Sequence, residues 1–302
     1  RRYREAGGSD PVILFHDAEA GAGALAAWSA DMPESVLPVE VEDTGGIGPD
    51  AWLSALAFGA GRVLLAMPGD TPPSERAATA DQMEVAQAIL AGLDIPADRL
   101  AIVDIGGDES ALTGEAAPTV AEPATFAGLG DKRARMRRAI EHLYRQTGSS
   151  ASIQPLPAAS PLGTIEVDQD ACTLCMACVS VCPTQAVIGG GEEPKLKFRE
   201  DRCVQCGMCE TTCPEDAIGL QPRIDFAAQV EPQERLLNEE EMHNCPGCGK
   251  AFAPVKVIQR MEERLAQHWM FADESARRRL WLCEDCRVKA MMRDQNSINL
   301  QN

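Results

Sequence analysis

The sequence predicts an α/β N-terminal domain built on a parallel sheet, then an α+β domain, then a small four-cysteine unit. Three observations lead there. Short apolar runs alternate with helical stretches over residues 11 to about 110, a cysteine run repeats between Cys172 and Cys213, and two cysteine pairs follow. Strands alternating with helical patterns imply βαβ units, whose crossovers produce a parallel sheet.

The first strand is expected at Val12-Ile13-Leu14-Phe15, followed by an alanine-rich helix from Ala18 to Ala30 carrying Leu25 and Trp28. Val36 to Val41 reads as a strand. Asp50 opens a helix with Trp52, Leu53, Leu56 and Phe58. Arg62 to Met67 is a buried-type strand through Val63-Leu64-Leu65 and stops at Pro68-Gly69. A helix from Ala77 to Leu93 closes near Gly92 and Pro96, and Leu100 to Ile105 is the next strand. Residues 111–130, rich in Ala, Pro, Thr and Gly, read as a loop. Asp131 to Gln146 is a basic amphipathic helix with Met136, Ile140, Leu143 and Tyr144 on its apolar side. That helix packs on a neighbour or offers a docking site to an acidic partner. Thr147 to Gly163 reads as a Ser/Ala/Pro linker. The expected divisions are 1–110, 111–163, 164–226 and 227–302.

Charge narrows the function. With 28 basic and 46 acidic residues the formal charge is −18. Nucleic acid is excluded as a partner, because its phosphates need a concentrated basic surface. An acidic protein suits basic patches on redox partners, or is acidic for solubility alone. No apolar run approaches the roughly 18–20 residues of a membrane span, and no signal-peptide pattern is visible. The chain opens on Arg1-Arg2-Tyr3-Arg4 without an initiator Met. We therefore expect the C-terminal part of a longer polypeptide, or a processed one. All twelve cysteines sit in C-x-x-C-type groups. Those are metal-ligand spacings, which point to the reducing cytoplasm, where thiolates stay free for metals.

The repeat carries the sharpest signal. Cys172-Thr-Leu-Cys175-Met-Ala-Cys178-Val-Ser-Val-Cys182-Pro183 aligns with Cys203-Val-Gln-Cys206-Gly-Met-Cys209-Glu-Thr-Thr-Cys213-Pro214. Small strands at Ala186-Val187-Ile188 and Ala217-Ile218 follow the two copies. C-x2-C-x2-C-x3-C-P is an iron–sulfur run. Three close thiolates wrap one corner of a cubane, intervening N–H groups face its sulfurs, and small residues such as Ala177 and Gly207 let the backbone approach. The fourth cysteine is expected to start a helix leading away, and so to reach the other cluster. Two [4Fe–4S] clusters follow. Cluster one takes Cys172, Cys175, Cys178 and Cys213; cluster two takes Cys203, Cys206, Cys209 and Cys182. Ile165, Val167, Leu174, Val181, Ile188, Val204 and Ile218 are expected to form an apolar jacket. Over residues 164–225 the chain resembles the bacterial dicluster ferredoxin family. That resemblance implies a ferredoxin-like βαββαβ fold and one-electron transfer, with a lengthened connection from Gly189 to Arg202.

Cys245-Pro-Gly-Cys248-Gly249-Lys250 reads as a knuckle, paired with Cys283-Glu-Asp-Cys286. A helix is expected from Val255 to Trp269. Four cysteines suit a closed, tetrahedral, structural zinc site in a zinc-ribbon-like unit. Iron is the alternative metal, and Arg287 after Cys286 departs from the glycine usual in rubredoxin-like knuckles. His243 and His268 are near in sequence and expected to be packing or surface residues. The stretches LNEEEMHNCPGCGKAF and LCEDCRVKAMM resemble the C-terminal part of iron–sulfur proteins found beside bacterial molybdenum oxidoreductases of the formate dehydrogenase type.

The N-terminal pieces VILFHDAEAGAGALAA, GGIGPDAWLSALAFGAGRVLLAMPGD and AILAGLDIPADRLAIVDI resemble the delta-subunit family of methyl-viologen-reducing hydrogenases. Cysteines that carry an iron–sulfur centre in that family are absent here. His16, Asp17, Asp43, Thr44 and Met67 lie around those places, so the resemblance implies a docking scaffold. Gly45-Gly46-Ile47-Gly48 matches no phosphate-loop fingerprint and reads as a turn before a helix. His16 shows no partner that would make it a base.

Together these readings describe an electron-transfer protein or subunit serving a larger oxidoreductase of the formate dehydrogenase or hydrogenase type, with no catalytic side chain of its own. Two other classes fit the same sequence: a redox enzyme subunit binding flavin or nucleotide in the N-terminal domain, and an assembly factor with structural clusters.

Overall fold

The computed structural model describes residues 2–28, 32–104, 112, 118–149, 152–191 and 193–293. The expected ends of the first helix at Ala30 and of the fourth strand at Ile105 lie outside the described residues, as do 111 and 113–117 of the predicted loop. The chain divides into two compact units, Arg1–Gly163 with Pro222–Pro232, and Thr164–Gln221 with Gln233–Asn302.

In the first unit a short helix α1 (Arg2–Glu5) precedes β1 (Val12–Asp17), α2 (Ala20–Trp28), β2 (Val36–Val41), α3 (Pro49–Ala57), β3 (Arg62–Met67), α4 (Pro73–Gly92) and β4 (Leu100–Asp104). The four strands form a parallel sheet in the order β2-β1-β3-β4. Every residue of β3 is buried. Leu64 and Ala66 face a core with Val12, Leu14, Trp28 and Val103; Val63, Leu65 and Met67 face the larger core under α3 and α4. A strand covered on both faces has to be continuously apolar, and this is the pattern of Val63-Leu64-Leu65.

Helix ends follow local chemistry. α3 and α4 begin at Pro49 and Pro73, where a ring-fixed φ and a missing N–H cost nothing. α4 therefore starts one turn before the expected Ala77. α5 (Lys132–Thr147) is capped by Asp131, whose Oδ1 accepts from Ala134 N–H at 2.7 Å, and ends at Gly148 with φ 63°. Met136, Ile140 and Leu143 are buried, and Tyr144 stacks on Phe226 at 5.5 Å. The helix thus packs on a neighbour, and several of its cations are engaged within the unit. Arg135 pairs with Asp50, Arg138 donates to the Leu129 carbonyl, and Lys132 donates to the Gly46 carbonyl.

The presumed linker contains β5 (Ile153–Pro155), paired antiparallel with residues 223–225 of β9 (Ile218–Asp225). α8 (Phe226–Val230) follows β9, and Phe226 is fully buried in the larger core. Proline-rich composition hid a strand of three residues here, too short for any alternation to register.

The second unit holds β6 (Gly163–Val167), α6 (Ala177–Val181), β7 (Val187–Gly189), β8 (Lys195–Phe198), α7 (Met208–Thr212), the first residues of β9, β10 (Arg235–Glu239), β11 (Met242–Asn244) and β12 (Ala251–Pro254), then α9 (Val255–Leu265), α10 (Glu274–Arg278) and α11 (Glu284–Arg293). β7, β8 and β10 form an antiparallel sheet in the order β10-β8-β7, and β11 pairs with β12. β10 lies in a stretch that reads as polar and acidic, yet Leu237 and Asn238 are both buried. A register shift between Leu236 and Asn238 turns successive residues inward. Arg235 anchors the strand: its guanidinium lies 5.8 Å from the Phe198 ring and donates to Thr164 Oγ1 at 2.7 Å. The chain is mixed α/β in content, and none of its described helices is long and apolar enough to cross a membrane.

Candidate metal centres

The two cysteine runs adopt one backbone path twice, offset by 31 residues from Cys172 to Cys203 and from Cys182 to Cys213. Leu174 and Gln205 have φ of 56° and 52°, Met176 and Gly207 have 62° and 76°, and Gln185 and Asp216 have 55° and 49°. Left-handed backbone at a non-glycine residue is disfavoured, by roughly 1–2 kcal/mol. Five such residues at matched positions mean that something outweighs that cost in both halves. Ala186 N–H lies 3.2 Å from Cys182 Sγ and Ala217 N–H lies 3.3 Å from Cys213 Sγ, again at matched positions.

Cys178 and Cys209 each lie in the first turn of a short helix, α6 and α7, while Cys182 and Cys213 end those helices as C-caps. This corrects the expectation that the fourth cysteine starts a helix leading away. The helix runs between the third and fourth cysteines, and the latter leave it in extended backbone.

Two cavities result. The first is lined by Cys172, Cys175, Cys178 and Cys213, with Leu174, Leu196 and Ile218 among the apolar neighbours. The second is lined by Cys203, Cys206, Cys209 and Cys182, with Ile165, Phe198 and Leu220. Each cavity is thus lined by three cysteines of one run and the fourth of the other. Soft donors in fours, around largely apolar spaces, fit the chemistry of an iron–sulfur cluster. Burial, with Cys172 and Cys175 close by, pushes the Cys178 thiol up to about 12, and burial pushes Cys209 up to about 11. At Cys182 burial is outweighed by the N–H groups of Val187 and Ala186 and by Thr184, and the thiol moves down.

Ile165, Leu174 and Ile218 are buried around these cavities, Val167 packs against them, and Val204 lines the second. Val181 and Ile188 are half-buried and outside that core. Leu196, Phe198 and Leu237 complete it and were not singled out from sequence. Leu237 in particular comes from a stretch with no apolar periodicity.

The last four cysteines also converge. The sulfurs of Cys245, Cys248, Cys283 and Cys286 all lie within 4.8 Å of one another. The knuckle closes with Gly249 N–H on the Cys245 carbonyl at 2.8 Å, and Gly249 has φ 77°. A Cβ on Gly247 would stand 3.0 Å from Cys286 Sγ, so a side chain there would crowd the approach of the second pair. Burial raises the Cys245 thiol, but the Cys283 and Gly247 N–H groups prevail and bring it down to about 6. Contact with Cys248 pushes Cys286 up to about 12. Arg287 stands where a second glycine was sought, and its guanidinium donates to the carbonyls of Arg279, Leu280 and Leu282. His243 Nε2 contacts the Trp281 carbonyl at 3.2 Å, and His268 Nδ1 accepts from Met270 N–H. Neither ring belongs to the sulfur group.

In the first unit, His16 is buried with Nδ1 2.8 Å from the Asp17 carbonyl. Asp43 caps the turn Thr44–Gly46 through Gly45 N–H, and Met67 is fully buried. These residues serve the fold locally.

No match to the chain is found among curated proteins. Residues 168–218, which contain all eight cysteines of the two cavities, match the 4Fe-4S dicluster domain family, which makes this segment an iron–sulfur domain of the kind that serves electron transfer.

Proposed function

We propose that this chain is an electron-transfer protein or subunit that relays single electrons through two [4Fe–4S] clusters. Cys172, Cys175, Cys178 and Cys213 hold the first, and Cys203, Cys206, Cys209 and Cys182 the second, in a ferredoxin-like domain. The observation that carries this reading is the pair of similar cavities, each lined by three cysteines of one run and the fourth of the other. Neighbouring clusters supply one-electron chemistry; the protein's part is to bind them, shield them and set their potentials.

Cys245, Cys248, Cys283 and Cys286 hold one zinc ion in a zinc-ribbon-like unit, with iron as the alternative. Closed four-sulfur geometry favours a structural metal. The α/β unit serves as a docking scaffold of the hydrogenase delta-subunit type, and the chain works in a reducing compartment, the cytoplasm. Its partner is a larger oxidoreductase, of the molybdenum formate dehydrogenase or the hydrogenase type.

Anaerobic EPR during a redox titration, with iron and zinc analysis of the same sample, tests the proposal. About eight irons and one zinc per chain, with reducible [4Fe–4S] signals, are expected. Clusters that no reductant reaches would leave them a structural role only.

A further inference from the structure

The two cavities differ in charge at one repeated position. After Cys182-Pro183 the second cavity has Thr184; after Cys213-Pro214 the first has Glu215. Glu215 is the one carboxylate among the residues lining the first cavity, and its side chain is 6% exposed. A carboxylate withdrawn from water is costly unless paired and hydrogen-bonded. Its partners come from α9. Arg260 Nε lies 3.0 Å from Glu215 Oε2; Arg264 Nη2 lies 2.9 Å from Oε1 and 3.0 Å from Oε2, and reaches the Pro214 carbonyl at 3.4 Å.

α9 is itself fixed by the four-cysteine unit. Its Ile258 is buried, and its Glu262 accepts from Trp281 Nε1 at 3.1 Å, two residues before Cys283. Lys256 at its start donates to the Gln169 carbonyl at 2.8 Å and pairs with Glu240 at 2.6 Å. The arginines approach from the solvent side, 45% and 57% exposed.

We infer that Arg260 and Arg264 are positioning residues that compensate Glu215, and that this clamp sets the reduction potential of the first cluster apart from that of the second. The inference rests on the cluster ligation proposed above. A buried negative charge opposes the addition of an electron beside it, because the interaction is poorly screened there. Local charge and hydrogen bonding are among the levers by which a protein tunes a cluster. The four-cysteine unit thereby biases the direction in which electrons pass between two otherwise similar sites.

An EPR-monitored redox titration of the loaded full chain tests this, with dithionite supplying one electron per cluster. Arg260→Gln with Arg264→Gln should move one of the two potentials to a more negative value and leave the other in place. Glu215→Gln should move the same potential the opposite way. Arg260→Lys with Arg264→Lys should restore the wild-type value. Both potentials moving together, or charge removal of either sign moving one in the same direction, would reduce the clamp to a fold contact and overturn the inference. If the arginine variant holds less iron, Glu215→Gln decides alone: no shift overturns the idea. A wild-type protein that binds iron but shows no reducible cluster would instead overturn the electron-relay reading, and one that binds no iron would overturn the underlying ligation.

Discussion

Asp50 and Arg135 close α3 onto α5, with Arg135 Nη2 at 2.7 Å and Nε at 3.1 Å from the same Asp50 Oδ2. The two ends differ in access to water: the Asp50 side chain is 8% exposed and that of Arg135 31%. Removing the guanidinium strands a buried carboxylate, whereas a freed guanidinium can turn outward. Arg135→Leu is therefore expected to lower stability by about 2–3 kcal/mol, and Asp50→Asn by less. Urea unfolding of both variants checks the order; equal losses would mean that Asp50 rehydrates freely.

Gly92 at the end of α4 leaves no room for a side chain. A Cβ there would stand 2.9 Å from Gln154 Cβ on β5 and 3.0 Å from Phe226 Cε2. Phe226 is fully buried and stacked on Tyr144, so it has little freedom to retreat. Gly92→Ala gains helix propensity but should still destabilise the first unit by about 1–3 kcal/mol through overpacking. A thermal melt followed by far-UV circular dichroism reads the loss; an unchanged or raised midpoint would show that β5 yields.

Features with a strong local signal were legible in the sequence, and those set by distant pairing were not. Val63-Leu64-Leu65 reads as a two-sided buried strand because no polar residue interrupts it, and it is one. Met136, Ile140 and Leu143 recur at helical spacing and are buried on one face of α5. β10 was missed because its bulge buries Leu237 and Asn238 in succession, which breaks the period-two pattern. α6 and α7, of five residues each, are too short to show periodicity, so the helix was placed after the fourth cysteine instead of before it. Glu215 offered no signal alone; its burial and its arginines, 45 and 49 residues later, exist only in three dimensions.

The crossed arrangement of the two runs makes a sharp prediction about iron. If Cys182 serves the cavity of Cys203, Cys206 and Cys209, then Cys182→Ser with Cys206→Ser damages one site only. That variant should keep about four irons. Cys182→Ser with Cys175→Ser falls on both sites and should keep few. Iron analysis after anaerobic reconstitution compares the two. The opposite ranking would assign each fourth cysteine to its own run.

The four-cysteine unit is expected to need its metal. Among the described residues from 245 onward, the buried apolar side chains are Ile258, Ala276 and Leu280, beside Cys245 and Cys283. A core that small does not hold a fold alone, and a structural metal then contributes folding free energy directly. A chelator that withdraws the ion should strip amide-exchange protection from α9, α10 and α11 and leave β1, β3 and β4 protected. Cys283→Ser should do the same, since Cys283 is fully buried and its sulfur lies 3.6 Å from that of Cys248. Protection of α9 that survives metal loss would mean that Lys256 and the pairing of Arg260 and Arg264 with Glu215 suffice to hold the helix in place.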